Sequence, residues 1–396
     1  MKLGKKVGLC LCYLCVFIVV LVILYLGVSM NRNQNNMVNN NVNNKLEKFN
    51  NPWWNSSILP RKLLIYYAWP SSINQTWTPV RAYVEFSKYD DIILGSGLEV
   101  SADNHQELGM GAGHGDHNNT KEIIKLLREN SSTHVYGYVD VGMCSWCKRF
   151  NTEIIGKRIA AWKAMGAHGV FFDDFGYDFL VTRERQNAAV ALAHEHGMKV
   201  CVNAWDPDHV FGNVYHETYN ANTEETLLGE DDFYLCESFA FGQYTWTPDG
   251  SAPPIYQDTS FWWDKATKVN NYRNHYKFGV WTVTTTDVRN NYDERAFYYS
   301  WYAALLFGYQ SVGWGEYNFS THSNNNAQAP YHDRPDINPG TEFRGPVRQI
   351  TRNPVPQGEG ANRVMVTPGP LYQRDTNLGT ISVDTNNRSF NFTPSN

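Results

Sequence analysis

Charge is scarce in this chain. Asp, Glu, Lys and Arg make up 18% of its 396 residues, the net charge is −5, and no basic tail or stripe is present. Nucleic-acid binding needs such a stripe to neutralise phosphates, so no nucleic-acid partner is expected. Cysteine is also sparse, with seven residues, three of which (Cys10, Cys12 and Cys15) lie in one N-terminal apolar run. Cys144-Ser-Trp-Cys147 has no second C-x-x-C at zinc-ligand spacing. A zinc site is therefore not expected, and a local disulfide is the better reading. Cys201 and Cys236 fall on neighbouring strand-like runs, either bonded or as buried thiols. His105, His114, Asp116 and His117 share a Gly-rich loop without the spacing of a metal site, and no metal or cofactor is expected there.

What the chain does have is apolar and aromatic material. The hydrophobic fraction is 42%, enough for a real core, and 14% of residues are aromatic, with 13 Trp and 24 Tyr. Exposed aromatic faces stack on sugar rings and buried ones fill cores; composition leaves both open.

Residues Val7–Ser29 form an almost uncharged run long enough to span a bilayer. Lys2, Lys5 and Lys6 precede it and only Arg32 follows closely, so residues 1–6 are expected to be cytosolic and the body translocated. The run exceeds a usual signal-peptide core and lacks a clear small-x-small exit site, which favours an uncleaved signal anchor over 7–29. Residues 30–52 are Asn-dominated and read as a flexible stalk. The expectation is a single-pass type II membrane protein, its body lumenal, extracellular or on the far side of a viral membrane. Sequons at Asn55, Asn74, Asn118, Asn130, Asn318, Asn387 and Asn391 agree with that side, although an Asn-rich chain produces some by chance.

From residue 62 strand-like runs alternate with helical patterns. The runs are Lys62–Ala68, Asp91–Leu94, His134–Val139, Gly169–Phe172, Lys199–Val202, Phe233–Cys236, Phe278–Val283 and Ser311–Trp314. Thr78-Pro79, Asn119, Thr182 and Gly166 mark helix ends between them. Eight strands mostly separated by helices predict an α/β fold, a (β/α)8 TIM barrel over 53–320. Beyond Tyr317 the texture becomes Asn, Pro and Gly punctuation. Short runs at 363–366, 379–383 and 389–392 predict a small C-terminal β appendage over 321–396.

A TIM barrel gathers its strand tips around one bowl. The tips carry Tyr66, Asp140, Asp173, Asp174, Asn203, Glu237, Asp287 and Glu316, interleaved with Trp69, Trp205 and Trp314. Several acids among tryptophans suit glycoside hydrolysis. One carboxylic acid protonates the leaving oxygen while a second carboxylate attacks the anomeric carbon or activates water. That geometry permits Asp173 with Glu237, two strands apart, without demanding the pair. Asp173, Asp174 and Asp140 also offer hard oxygen ligands for a divalent cation.

The blocks Gly169-Val-Phe-Phe-Asp173-Asp174, Lys199-Val-Cys-Val-Asn203 and Leu235-Cys-Glu237-Ser-Phe239 resemble glycoside hydrolase family 114. The resemblance covers roughly residues 62–320 in layout and these three blocks in detail. It implies a (β/α)8 barrel acting as an endo-α-1,4-polygalactosaminidase, with Asp173 and Glu237 as the catalytic pair and Asn203 as the polar residue closing strand five. It also implies substrate-binding groups at the tips held by Tyr66 and Asp140, and argues against the cation. Asp174 departs from the family, which usually carries Asn there; the residues flanking Glu237 differ too. Trp69, Trp205, Trp314 and Glu316 complete the expected carbohydrate-binding set. The rival reading is a catalytically silent glycan binder or structural envelope glycoprotein on the same barrel. Side-chain alternation along strand four sends only one of Asp173 and Asp174 into the bowl, and the resemblance selects Asp173.

Overall fold

A computed structural model describes residues 57–243, 254–257, 262–286, 288–321, 327–357 and 363–395. The chain divides into Met1–Asn51 and Pro52–Asn396, and every described residue belongs to the second unit. The expected anchor over 7–29, the stalk over 30–52 and the strand-tip Asp287 lie outside the described residues. Among the described residues no helix is long and apolar enough to cross a membrane.

The barrel region contains β1 (Arg61–Tyr66), β2 (Asp91–Leu94), β3 (His134–Asp140), β4 (Gly169–Asp173), β5 (Lys199–Asn203), β6 (Phe233–Gln243), β7 (Pro254–Tyr256), β8 (Gly279–Thr286) and β9 (Ser311–Gly313). All but β7 pair in parallel with their neighbours, and β9 closes back onto β1. Eight parallel strands in a closed ring, with helices between, make this a TIM barrel. β7 is a short antiparallel addition to the far end of β6, which extends well past the expected Cys236.

The helices are α1 (Pro79–Phe86), α2 (His117–Asn130), α3 (Thr152–Met165), α4 (Arg183–Glu195), α5 (Pro207–Phe211), α6 (Asp264–Tyr276) and α7 (Glu294–Phe307). Their starts follow local chemistry. The side chains of Thr78, Asn151, Thr182 and Asp293 each accept from a backbone N–H of the first turn, filling an otherwise unmet donor. Gly166 ends α3 at φ 96°, a conformation that costs a residue with a Cβ. α2 begins at His117, ahead of the expected Asn119.

The wall separates two apolar layers. Leu63, Ile65, Ile93, Tyr136, Phe171, Cys201, Phe233, Leu235, Trp281 and Val283 fill the barrel interior. Their outward neighbours, such as Leu64, Val170, Phe172, Val200 and Tyr234, pack beneath the helices. Residues 327–343 have almost no regular structure and lie along the start of the barrel. Asn74 N and the Tyr66 hydroxyl both donate to Ala327 O, and Ile58 N donates to Gly340 O at 2.9 Å.

The C-terminal region forms an antiparallel sheet of β10 (Arg348–Ile350), β13 (Leu371–Asp375), β14 (Gly379–Asp384) and β15 (Ser389–Pro394), in that order. A separate hairpin pairs β11 (Val355–Gln357) with β12 (Val364–Val366). The sheet packs on α7 and on the residues leading into α6. Tyr372 stacks on Trp263 at 4.6 Å, Phe390 lies 4.8 Å from Tyr302, and Arg374 donates to Leu306 O at 3.0 Å.

Candidate active site

Strand alternation builds the site. The inward series Ile65, Phe171, Cys201 and Leu235 continues two residues further to Tyr67, Asp173, Asn203 and Glu237 at the C-terminal mouth. A cleft of about 360 Å³ opens there, with Ile65 and Leu235 among its lining residues and the polar set around it.

Asn203 ties the two carboxylates together. Its Nδ2 donates to Asp173 Oδ1 at 3.1 Å and to Glu237 Oε2 at 2.9 Å, which caps the separation of those oxygens at about 6.0 Å. Amide protons about 120° apart, one aimed at each carboxylate, would set these oxygens roughly 5.2 Å from one another. The nearby Asp174 backbone N–H and Tyr138 hydroxyl also favour the Asp173 anion. Burial nevertheless raises the Asp173 pKa, and the charge of Asp140 adds to the rise, while the three donors oppose it.

Asp174 leaves the strand at φ 55°, so alternation ends there and its side chain also reaches the cleft. Burial, then the charges of Asp173, Asp140, Asp178 and Glu237, push its carboxyl up to about 8. Asp173 and Asp174 therefore titrate as a pair, and near neutrality the pair holds a proton. Asp173, with its three donors, is the better stabilised anion.

The structure redistributes several expected site residues. Asp173, Asp174, Asn203, Trp205 and Glu237 come together in the cleft. Tyr66 does not: it is fully buried in the outer layer, and its hydroxyl donates to Ala327 O at 3.1 Å. Trp314 shares the outer face of its strand with Val312 and packs against Phe241 and Tyr292. Glu316 is held by His332 at 3.0 Å, beside the outer surface of β1. Both carboxylate oxygens of Asp140 accept backbone N–H groups, from Gly142 and Lys148, each at 2.7 Å, so it organises a loop. Trp69 is half-exposed but sits against His114, and does not line the cleft.

Cleft residues outside the expected set include the polar or aromatic Tyr67, Asp178, Phe179 and Phe319. Tyr138 also lies outside that set, in edge contact with Tyr67 at 5.5 Å. Burial and the charges of Asp173, Asp174 and Glu237 raise the Tyr67 pKa far above its ordinary value, so its hydroxyl keeps its proton. The signal for Tyr67 and Tyr138 was available, since each lies two residues beyond an inward aliphatic or aromatic position on its strand.

Cys144 and Cys147 form the expected disulfide, with Cα atoms 5.1 Å apart. The bridged turn presents Trp146 at 76% exposure, and Met143 N donates to Phe179 O at 2.9 Å, joining the turn to the cleft wall. Donor atoms of Asp140, Cys147 and Asp174 lie within 4.8 Å of one another. The Cys147 sulfur is committed to the disulfide and Asp140 to amides, so this donor set does not suit a cation. Cys201 and Cys236 are free buried thiols on opposite sides of the wall. Asp116, in the histidine-containing loop, is fully used by Ser71 and Asn119. The Asn74 side chain is bound to Glu85 and to both backbone groups of Ala329, so that sequon is blocked in the folded chain.

Fold and cleft define a TIM-barrel protein with an acid-lined bowl. No protein-family profile matches the chain, and no curated protein matches it. Solved structures that resemble it include an endo-β-1,4-glucanase of Xanthomonas axonopodis pv. citri, 11% identical, covering 65% of this chain and 89% of that one at a TM-score of 0.40. An endoglucanase of Pseudomonas stutzeri is 11% identical over 59% of this chain and 74% of its own, with a TM-score of 0.38. A putative fructose-1,6-bisphosphate aldolase of Coccidioides immitis is 12% identical over 65% and 76%, with a TM-score of 0.35. Scores this low carry no argument about activity, and the assignment of the barrel rests on its strand pairing.

Proposed function

We propose that the protein is a glycoside hydrolase using Asp173 and Glu237. The observation that carries this reading is the single Asn203 amide donating to both carboxylates, at 3.1 and 2.9 Å. The resulting spacing falls near the roughly 5–5.5 Å of retaining enzymes, where one carboxylate attacks and the other protonates the leaving group. Asp173, favoured as an anion by the Asn203 amide, the Asp174 N–H and the Tyr138 hydroxyl, is suited to attack the anomeric carbon. Glu237 gives its proton to the departing oxygen and later removes one from the attacking water. Asn203 holds both in register. Trp205, half-exposed at the rim with Lys265 on its ring at 4.8 Å, offers a face to a sugar.

The four cleft acids Asp173, Asp174, Asp178 and Glu237 suit a protonated amino sugar, which agrees with the resemblance to polygalactosaminidases. The apolar run 7–29 and its lysine flank support an uncleaved anchor that carries the barrel to the lumenal or extracellular side.

The test is reducing-end release by the full chain in detergent across a glycan panel that includes α-1,4-galactosamine polymer. Release is expected, with a fall of about 10³-fold in Glu237→Gln. Binding of a glycan with no release, unaltered by Glu237→Gln, would establish the silent binder instead.

A further inference from the structure

The barrel has a second cavity at the face opposite the cleft. β4 and β8 both begin on glycine, and these glycines are required by what lies over them. A Cβ at Gly169 would stand 2.3 Å from the Tyr136 ring, and one at Gly279 would stand 2.5 Å from the Phe233 ring. The two rings thus lie across the strand starts. Phe233 stacks on Trp281 at 4.6 Å, and Tyr136 meets Trp281 edge-on at 4.8 Å. These three rings help line a cavity of about 170 Å³, close to the roughly 150 Å³ that accommodates one benzene ring.

The rest of the lining is polar. Gln310, 3% exposed, accepts the Val280 N–H at its Oε1, while its Nε2 has no hydrogen-bond partner among the described residues. A buried amide donor left unpaired is costly, and a ligand acceptor would satisfy it. His168 accepts from Val135 N–H at Nδ1, which places its proton on Nε2. Arg61 meets Asp91 at 3.1 Å and Lys199 meets Asp231 at 3.0 Å, and a guanidinium or ammonium so paired keeps further N–H donors for a ligand. A wider surface depression of about 420 Å³ shares Arg61, His134 and His168 with the cavity.

We propose that this cavity is a binding site, separate from the cleft, for a small monoanionic aromatic acid. The ring lies against Tyr136, Phe233 and Trp281, and the carboxylate takes the Gln310 amide proton beside Arg61 and Lys199. The site stands independently of any glycosidase activity.

Benzoate is the probe, titrated into the full chain by calorimetry, with benzyl alcohol as its neutral counterpart. One benzoate is expected to bind per chain, at least about tenfold tighter than benzyl alcohol. Gln310→Glu and Gln310→Met should each weaken benzoate at least about tenfold, while Glu237→Gln leaves it unchanged. In the unsubstituted chain, benzoate ring protons should show nuclear Overhauser contacts to the Trp281 indole, a readout independent of any variant's folding. The proposal is overturned by no binding up to about 10 mM. Equal affinity for benzyl alcohol, unweakened binding in folded Gln310 variants, or loss in Glu237→Gln also overturns it.

Discussion

Tyr66 and Tyr67 are neighbours in the chain and lie on opposite sides of the barrel wall. The Tyr66 hydroxyl donates to Ala327 O at 3.1 Å among the outer packing, whereas Tyr67 lines the cleft and meets Tyr138 edge-on. The same conservative change should therefore have two different outcomes. Tyr66→Phe removes one buried hydrogen bond, costing about 1 kcal/mol, and leaves turnover unchanged. Tyr67→Phe keeps the packing and the melting temperature but removes a hydroxyl beside Asp173 and Glu237, lowering kcat about tenfold. Melting curves and kcat for the two variants separate these effects; the reverse pattern would mean that the wall faces are misassigned.

Asn203 is the one residue whose loss should uncouple the carboxylates without removing either. Asn203→Ala leaves Asp173 and Glu237 without their shared donor, so each loses orientation as well as a hydrogen bond. A fall in kcat of about 10²-fold is expected, with KM changing much less. Asn203→Asp should be worse, because a third carboxylate between two others raises the pKa of each. Its acid limb should move to higher pH, a signature that simple misfolding would not give.

The Asp174 carboxyl is pushed up to about 8 in the folded chain, against about 3.9 when unfolded. The folded state therefore binds more protons than the unfolded state between these values. Stability falls as pH rises through that window, from about 4 to 8, opposite to the usual behaviour of a salt-bridged aspartate. Asp174→Asn removes this residue's share of the titration and should melt a few °C higher than the natural chain at pH 8, with little difference at pH 4. Melting temperatures across that range decide it; a constant offset at all pH values would show that Asp174 does not titrate in the window.

Why some of this was legible and some was not follows from alternation. All eight barrel strands announce themselves as short apolar runs, and most of them end in a polar residue. Asp173, Asn203 and Glu237 could be read because each continues an inward series by one step of two, through Phe171, Cys201 and Leu235. Tyr66, Trp314 and Glu316 were misplaced because a sequence shows where a strand tips but not which side its last residue faces. A one-residue error reverses the face. Asp174 escapes the rule, since its backbone has already turned left-handed. β13 was invisible: Leu-Tyr-Gln-Arg-Asp has one buried anchor, Tyr372, whose partners Trp262 and Trp263 are distant in sequence.

The bridged turn at Cys144–Cys147 holds Trp146 outward and meets the cleft through Met143 and Phe179. Closing so short a loop contributes at most about 2 kcal/mol, so reduction should lower stability only modestly. Its larger effect should be on substrate capture. The Cys144→Ser/Cys147→Ser variant is expected to raise KM about threefold to tenfold, with kcat nearly unchanged. Unaltered KM on long glycans would show that the turn plays no part in binding.

The C-terminal sheet should behave as part of the barrel's core. Tyr372 is fully buried between Trp262 and Trp263, and Arg374 satisfies a carbonyl at the end of α7. Removing residues 344–396 would uncover Trp262, Trp263 and Tyr302, each presenting up to about 150–250 Å² of aromatic surface to water. The truncated chain is expected to aggregate. Tyr372→Ala is the milder probe and should cost about 3–5 kcal/mol, with kcat retained below the lowered melting temperature, because none of these residues lines the cleft. A truncated chain that stays soluble and melts with the intact protein would make the sheet a separable module.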